Sequence, residues 1–311
     1  MQRSTRIAVA DLGTNSTRLL VADVTAAGLL EQLEHRTVVT RLGEGVDRSG
    51  RLADAALARV HECLADYREI ADHLGAERSI AVATSAVRDA DNGEHFREEV
   101  RARHGFDIRV ISGEQEARLT FLGATTGRSE SGQTLVIDIG GGSTEFVVGA
   151  PASSPSFHVS TRLGSVRQSE RHLLEDPPSG ESLAALAGAA AEIVAEGVPV
   201  EVREAVTSGI AVAGTATTLA AIDQGLDPYS ASRVHGYRLP IGACERMLAM
   251  LSGKPIAERR HVAGLHPDRA PTIVAGAAIL VESMRLFELD EVETSEADIL
   301  HGAALDAITP G

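Results

Sequence analysis

Asp138-Ile139-Gly140-Gly141-Gly142-Ser143-Thr144-Glu145 is the stretch whose reading decides the fold. An apolar run, Thr134 to Ile137, precedes it and reads as a buried strand; a second run, Phe146 to Gly149, follows it. Three consecutive glycines between two strands make a turn with no side chain in the way, so a phosphate can reach the backbone N–H groups. Ser143 and Thr144 add hydroxyl donors. Asp138 and Glu145 flank the turn with hard oxygen ligands, which suit hydrated Mg²⁺ better than zinc.

The chain carries this pattern twice. Asp11-Leu12-Gly13-Thr14-Asn15-Ser16-Thr17-Arg18 also lies between apolar runs, Ile7 to Ala10 and Leu19 to Ala22. Aligned on the aspartates, the copies share Asp, Gly, Ser and Thr at the same offsets. A repeated strand–loop–strand unit dictates architecture before any other feature. It predicts two similar domains, each presenting a phosphate loop to a shared cleft. The plain alternative is a pair of ordinary hairpin turns that look alike.

Composition narrows the function. The chain of 311 residues is long enough for two domains with separate cores, and its 43% hydrophobic and 23% charged residues are an ordinary globular balance. A net charge of −15 makes the general surface a poor match for nucleic acid or anionic membrane. A polyanionic substrate must therefore be met by a local basic patch, by metal ions, or by both. Cys63 and Cys244 have no ligand-like spacing and read as buried thiols in a reducing compartment. No stretch approaches the length of a membrane span, and Asp11 interrupts the first apolar run too early for a signal peptide. The expectation is a cytoplasmic protein.

Strands are expected at Ile7–Ala10, Arg18–Val24 and about Leu29–Arg41, then a helix whose apolar residues recur from Leu57 to Leu74, with Gly75 as its C-terminal cap. Ser79–Ala83 reads as a strand, the segment Thr84 to Ala90 as a loop leading to a helix near Glu94–His104, and Phe106–Ile111 as the last strand of this half. Ser112-Gly113-Glu114-Gln115 has the Ser-x-x-Gln form of a capping box and predicts a helix to about Ala124. The polar, Gly-rich segment Gly127 to Gln133 reads as a hinge, dividing 1–126 from 127–311. In the second half, Val206–Ala213 reads as a buried strand running into Gly214-Thr215-Ala216-Thr217-Thr218-Leu219. That turn opens onto a helix, whose N-terminus favours anions; it is either a third phosphate contact, through Gly214 and Thr215, or a Thr-capped helix start. Helices at about Ile241–Leu251, Ile256–Ala263 and Ala270–Phe287 follow. A final helix, 297–308, is able to pack back on the first domain.

This order of segments resembles the exopolyphosphatase/guanosine pentaphosphate phosphohydrolase family. The likeness rests on Asp11 to Ser16, Ala83-Thr84-Ser85-Ala86-Val87-Arg88, Ile111-Ser112-Gly113-Glu114-Gln115-Glu116-Ala117-Arg118, Asp138 to Glu145 and Gly214 to Ala221. Leu265-His266-Pro267-Asp268-Arg269-Ala270 and Ser295 with Gly302 extend it nearly to the end of the chain. The resemblance implies an α/β fold of two actin-like (ribonuclease H-like) domains with mixed sheets flanked by helices, and an active cleft between them. It implies hydrolysis of a terminal phosphoanhydride with water as acceptor, a short two-domain form, and a homodimer. It places the catalytic carboxylate on Glu116; Gln115 stands where the family usually has Glu.

Such a reaction needs a held phosphate tail, a positioned water and a group to take its proton. Gly13, Thr14, Asn15 and Ser16, then Gly140, Gly141, Gly142, Ser143 and Thr144, with Gly214 and Thr215, are the candidate tail contacts. Asp138 and Glu145, with Asp11, are the candidate Mg²⁺ ligands. Arg88 is expected to reach the phosphate, since guanidinium matches phosphate oxygens in a planar fork; otherwise it is a helix-flanking salt bridge. Glu116 is expected to orient water, against the alternative of an exposed acid favoured by the helix dipole. Arg162, Arg167, Lys254, Arg259, Arg260, His261, His266 and Arg269 form either a local basic track or solvated faces with ordinary ion pairs. The expected substrate is inorganic polyphosphate of short chain length. The rival readings are a guanosine pentaphosphate phosphohydrolase, a kinase of the same superfold, and a non-catalytic sensor of polyphosphate or a guanosine polyphosphate.

Overall fold

The computed structural model describes residues 4–128, 132–151 and 153–308. Within the expected hinge, residues 129–131 lie outside the described residues. The chain forms two compact units: Met1–Thr126 together with Asp298–Gly311, and Gly127–Ala297.

The first unit opens with a meander of β1 (Ser4–Leu12), β2 (Thr17–Thr25) and β3 (Leu30–Val38). It adds β4 (Arg78–Ala83) and β5 (Asp107–Val110), giving the order β3-β2-β1-β4-β5 with β4 and β5 parallel to β1. Parallel neighbours need crossovers, supplied here by α1 (Asp54–His73) before β4 and α2 (Gly93–His104) before β5. Helix α3 (Gly113–Thr125) follows β5. Both faces of the sheet are covered, so β1 is apolar almost throughout. Ala8, Ala10 and Leu12 pack with Leu64, Tyr67 and Phe96 on one face, and Ile7 and Val9 pack with Leu119 on the other.

The second unit repeats the plan. Strands β6 (Gln133–Ile139), β7 (Thr144–Gly149) and β8 (Phe157–Thr161) form the meander, and β9 (Val206–Val212) runs parallel to β6. With β10 (Arg238–Pro240) and β11 (Glu291–Ser295) the order is β10-β11-β9-β6-β7-β8. Read from β8, it matches the first sheet, with one antiparallel edge strand added. Helices α4 (Ser165–His172) and α5 (Gly180–Gly197) make the crossover to β9; α6 (Ala213–Asp223), α7 (Ile241–Ser252) and α8 (Ile273–Leu286) complete the layers. Leu135, Ile137 and Phe146 pack with Val194, Leu219 and Ile279, and the Phe146 and Phe287 rings stack with centroids 6.0 Å apart. Helix α9 (Ile299–Ile308) then returns to the first unit and lays Leu300, Ala304 and Leu305 on the apolar face of β1 and β2.

This is the fold class the sequence implied, two α/β units of actin-like type, each a mixed sheet flanked by helices. Three elements differ from expectation. The third strand stops at Val38. The helix expected over Ile256–Ala263 is a single turn, Ile256–Arg259; the chain reverses at Gly264 (φ +85°), where a Cβ would lie 2.5 Å from the Ala221 backbone. Helix α8 starts at Ile273, and the residues expected to open it form the short link that follows a 3₁₀ turn, Pro267–Arg269.

Candidate active site

In the first unit the parallel strands β1, β4 and β5 end at one edge, and their loops gather there, as ligand sites do in open α/β sheets. The β1–β2 turn closes through Gly13 N–H to Ser16 O at 3.1 Å; a Cβ at Gly13 would lie 2.9 Å from that oxygen, so only glycine fits. The turn is pinned from outside. Gly43 N–H donates to Thr14 O at 2.8 Å, Arg41 N–H to Asn15 O at 2.9 Å, and the Thr14 and Ser85 hydroxyls share a hydrogen bond at 3.0 Å. Ser85 begins a short helical turn that ends at Arg88. Arg88 Nη1 donates to Ile111 O at 2.9 Å and to Glu116 Oε2 at 3.3 Å. Ser85–Arg88 thus links the first loop to Glu116.

Glu116 sits in the first turn of α3 and is buried. The capping box is present: Gln115 N–H donates to Ser112 Oγ at 3.2 Å and Ser112 N–H to Gln115 Oε1 at 3.1 Å. Gln115 therefore fixes the helix start. Arg88, expected at a phosphate, is engaged with the Glu116 carboxylate, and Glu116 itself is neither exposed nor solvated.

The antiparallel register places Asp11 opposite Arg18. Arg18 Nε and Nη2 donate to Asp11 Oδ2 at 2.9 and 2.6 Å, while Nη1 reaches Asp298, the residue before α9. Both carboxylates are buried, and Asp11 Oδ1 has no hydrogen-bond partner among the described residues. Burial pushes the Asp11 pKa up, and Asp298 adds to this, against the pull of Arg18. Burial also works to raise Asp298, but Arg18, His301, the Leu300 N–H and His35 together bring it below the usual carboxylate value.

The second unit builds the same hairpin with different charges. Asp138 pairs across the strands with Glu145, which occupies the position of Arg18. Both are buried, and Glu145 Oε1 accepts from Ser160 Oγ at 2.7 Å. The glycine turn closes through Gly140 N–H to Ser143 O at 3.0 Å. Its carbonyls face the start of α4: Ser165 N–H donates to Gly140 O at 2.9 Å, and Val166 and Arg167 N–H to Gly141 O at 2.9 and 3.1 Å. Arg167 Nε adds a bond to Gly142 O at 2.8 Å. Because a trans peptide holds C=O and N–H on opposite sides, the N–H groups of Gly141, Gly142 and Ser143 are turned away from α4. A Cβ at Gly164 would lie 2.2 Å from Gly141 O, so helix and loop are in backbone contact.

Several expected roles change. Thr144 is fully buried and its hydroxyl donates to Leu163 O, so it braces the loop and does not reach a phosphate. Thr215 is buried with its side chain against Gly276, a packing contact. Gly214 is covered by Arg269: a Cβ there would lie 1.8 Å from Arg269 Nη1. Arg259 does not belong to a basic track; it is buried, with Nε donating at 2.8 Å to the carbonyls of Leu251 and Lys254. Arg167 is buried beneath the glycine loop. The residues that sequence reasoning did not place in the site are Arg18, Ser85 and Asp298; Arg167 and Arg269 entered only as members of a possible basic track. Arg18 alone had a plain signal, the opposite charge to Glu145 seven residues after each aspartate.

Asp138 and Glu145 fit Mg²⁺. They are two hard oxygen donors side by side on paired strands, and Mg²⁺ takes one or two carboxylates, keeping its other positions for water and substrate phosphate. No group of three or more His, Cys, Asp or Glu forms a closed cage among the described residues. Asp11 is committed to Arg18 through Oδ2 and has only Oδ1 to offer.

A sequence profile of the Ppx/GppA phosphatase family matches residues 20–309. Exopolyphosphatase 2 of Mycobacterium tuberculosis is 37% identical over 97% of this chain and 98% of its own length. Exopolyphosphatase 1 of Mycobacterium bovis is 33% identical over 93% of this chain and 84% of its own. Among solved structures, the Aquifex aeolicus family member superposes with a TM-score of 0.83 at 30% identity, covering 98% of each chain. An exopolyphosphatase-like protein reaches 0.90 at 32% identity, again over 98% of each chain.

Proposed function

Because the chain belongs to the Ppx/GppA phosphatase family, we propose that it is an exopolyphosphatase, a phosphoanhydride hydrolase that releases orthophosphate from the end of inorganic polyphosphate, with a preference for short chains. The observation that carries this reading is Glu116, buried at a capped helix start and held by Arg88, whose helical turn also touches the Asp11 loop through Ser85. Glu116 orients water toward the terminal phosphorus and takes its proton as the new O–P bond forms; the bridging P–O bond breaks and the shortened chain leaves. Arg88 holds the Glu116 carboxylate in place. Each unit offers its own phosphate contacts: the Gly13–Ser16 turn in the first, and the N–H groups of Gly141, Gly142 and Ser143 with Arg269 at Gly214 in the second. Asp138 and Glu145 would hold Mg²⁺, which offsets charge on the phosphoryl group in transfer.

Guanosine pentaphosphate as substrate has one observation in its favour. Tyr229 is 48% exposed, its hydroxyl bonds Glu296, and Thr217 and Arg269 lie near it at the Gly214 turn, a surface that a base can cover. The homodimer and the cytoplasmic setting go with the family reading; no helix among the described residues is long and apolar enough to cross a membrane. Phosphate release with Mg²⁺ from short polyphosphate, long polyphosphate, guanosine pentaphosphate and ATP tests the assignment. Turnover fastest on short polyphosphate supports it. Fastest turnover on guanosine pentaphosphate moves the chain to the second reading, and binding without release makes it a sensor.

A further inference from the structure

Helix α9 carries none of the groups assigned to the reaction, yet it touches the first-unit elements that do. At its start, Asp298 holds Arg18 and through it the Asp11 hairpin. One turn on, Gly302 lies backbone to backbone against α3. A Cβ on Gly302 would fall 1.8 Å from the Leu119 carbonyl oxygen, and a Cβ on Gly123 would fall 1.9 Å from Asp298 O. Neither position can carry a side chain unless the helices separate. Leu119 follows Glu116 by three residues and so lies on the same side of α3, one turn on. Gly302 therefore presses on the turn that presents Glu116. Arg118 Nη2, reaching Asp306 Oδ1 at 2.6 Å, ties the same two helices at their exposed side. Leu119, Leu300 and Ala303 share one apolar cluster beneath them.

We propose that α9 is the strut that fixes where the Glu116 carboxylate sits, with Gly302 and Gly123 as positioning residues that set the separation of α3 and α9. The proposal rests on the reading of Glu116 as the group that orients water. It gives the last helix of the chain a part in catalysis without contact to substrate. A misplacement of about 1 Å at a reacting group can cost on the order of 100-fold in rate, so a shift of α3 that packing tolerates still shows in turnover.

Gly302→Ala, alone and combined with Glu116→Gln, tests this by kcat and KM on a short polyphosphate with Mg²⁺, with thermal unfolding as the check that the chain folds. The expected result is a kcat roughly 10- to 100-fold lower with KM within about 3-fold, and less than about 2-fold further loss once residue 116 is Gln. A structural role alone would lower both backgrounds equally, and that outcome overturns the proposal. So does an unchanged kcat in a folded Gly302→Ala. Should Gly302→Ala not fold, Arg118→Met replaces it, since it severs only the exposed tie. Its kcat is expected to fall about 3-fold with Glu116 present and not at all with Gln; an unchanged kcat there counts against the strut. Glu116→Gln retaining full activity by itself removes the reading beneath the proposal, and that result is visible before α9 is altered.

Discussion

The two hairpins differ most at a single residue. Seven positions after the aspartate, the first copy has Arg18 and the second Glu145, and both strand registers set that residue directly opposite the aspartate. The first hairpin carries its own cation, Arg18, shared between Asp11 and Asp298; the second sets two buried carboxylates directly opposite each other, the hard oxygen pair that a divalent ion takes. Divalent-ion affinity should therefore follow the second hairpin. Glu145→Gln is expected to weaken Mg²⁺ binding, read by calorimetry without substrate, by at least about 10-fold, while Asp11→Asn costs only a few-fold, since a neutralised ligand removes one charge-assisted contact. Equal effects would put Asp11 back among the principal ligands. The charge reversal was legible in the sequence, since the offset is the same in both copies. Its meaning was not, because that depends on which residue faces which across the turn. Asp298 was not legible at all: its partner Arg18 lies 280 positions away.

At the scale of elements, local rules read well and close approaches did not. The Ser112/Gln115 capping box and the left-handed Gly75 after α1 follow from residue type. The docking of α4 on the glycine loop depends on a contact no pattern announces, Gly164 against Gly141 and Gly142. Gly164→Ala must push the loop off the helix, so KM for polyphosphate should rise at least about 10-fold with a smaller change in kcat; an unaltered KM would mean that the loop does not hold the tail. A second contact makes a pH prediction. His61 on α1 and His104 on α2 are hydrogen-bonded at 3.0 Å. Burial lowers the pKa of each, with Arg103 adding to it for His61, and His61 and Arg103 for His104, while Glu99 opposes the shift at His61. The unfolded chain then takes up protons first as pH falls below about 6.5, so stability is whole above that value and declines beneath it. Thermal unfolding between pH 7 and pH 5 should fall less in His61→Leu/His104→Leu than in the parent; an equal fall would show that other groups set the acid limb.

For the whole molecule, the repeat announces two units but not how the chain divides between them. The first unit is discontinuous: it takes Met1–Thr126 and then Asp298–Gly311, with all of the second unit inserted between. Helix α9 buries Ile299, Leu300 and Leu305 against the face of β1 and β2 that holds Ile7, Val9 and Leu20. At about 1.5–3 kcal/mol for each such side chain, these three contribute roughly 5–9 kcal/mol as an upper bound. That is of the order of a domain's whole stability, about 5–15 kcal/mol. The principal core of the second unit lies entirely within 135–292. A chain ended after Ala297 should therefore lose one cooperative unfolding transition and keep the other. Limited proteolysis of it should leave a resistant fragment beginning near Gly127. If both transitions survive, the apolar face of β1 and β2 has found another cover, and the tie between the chain's last helix and its first hairpin is not what holds the first unit together.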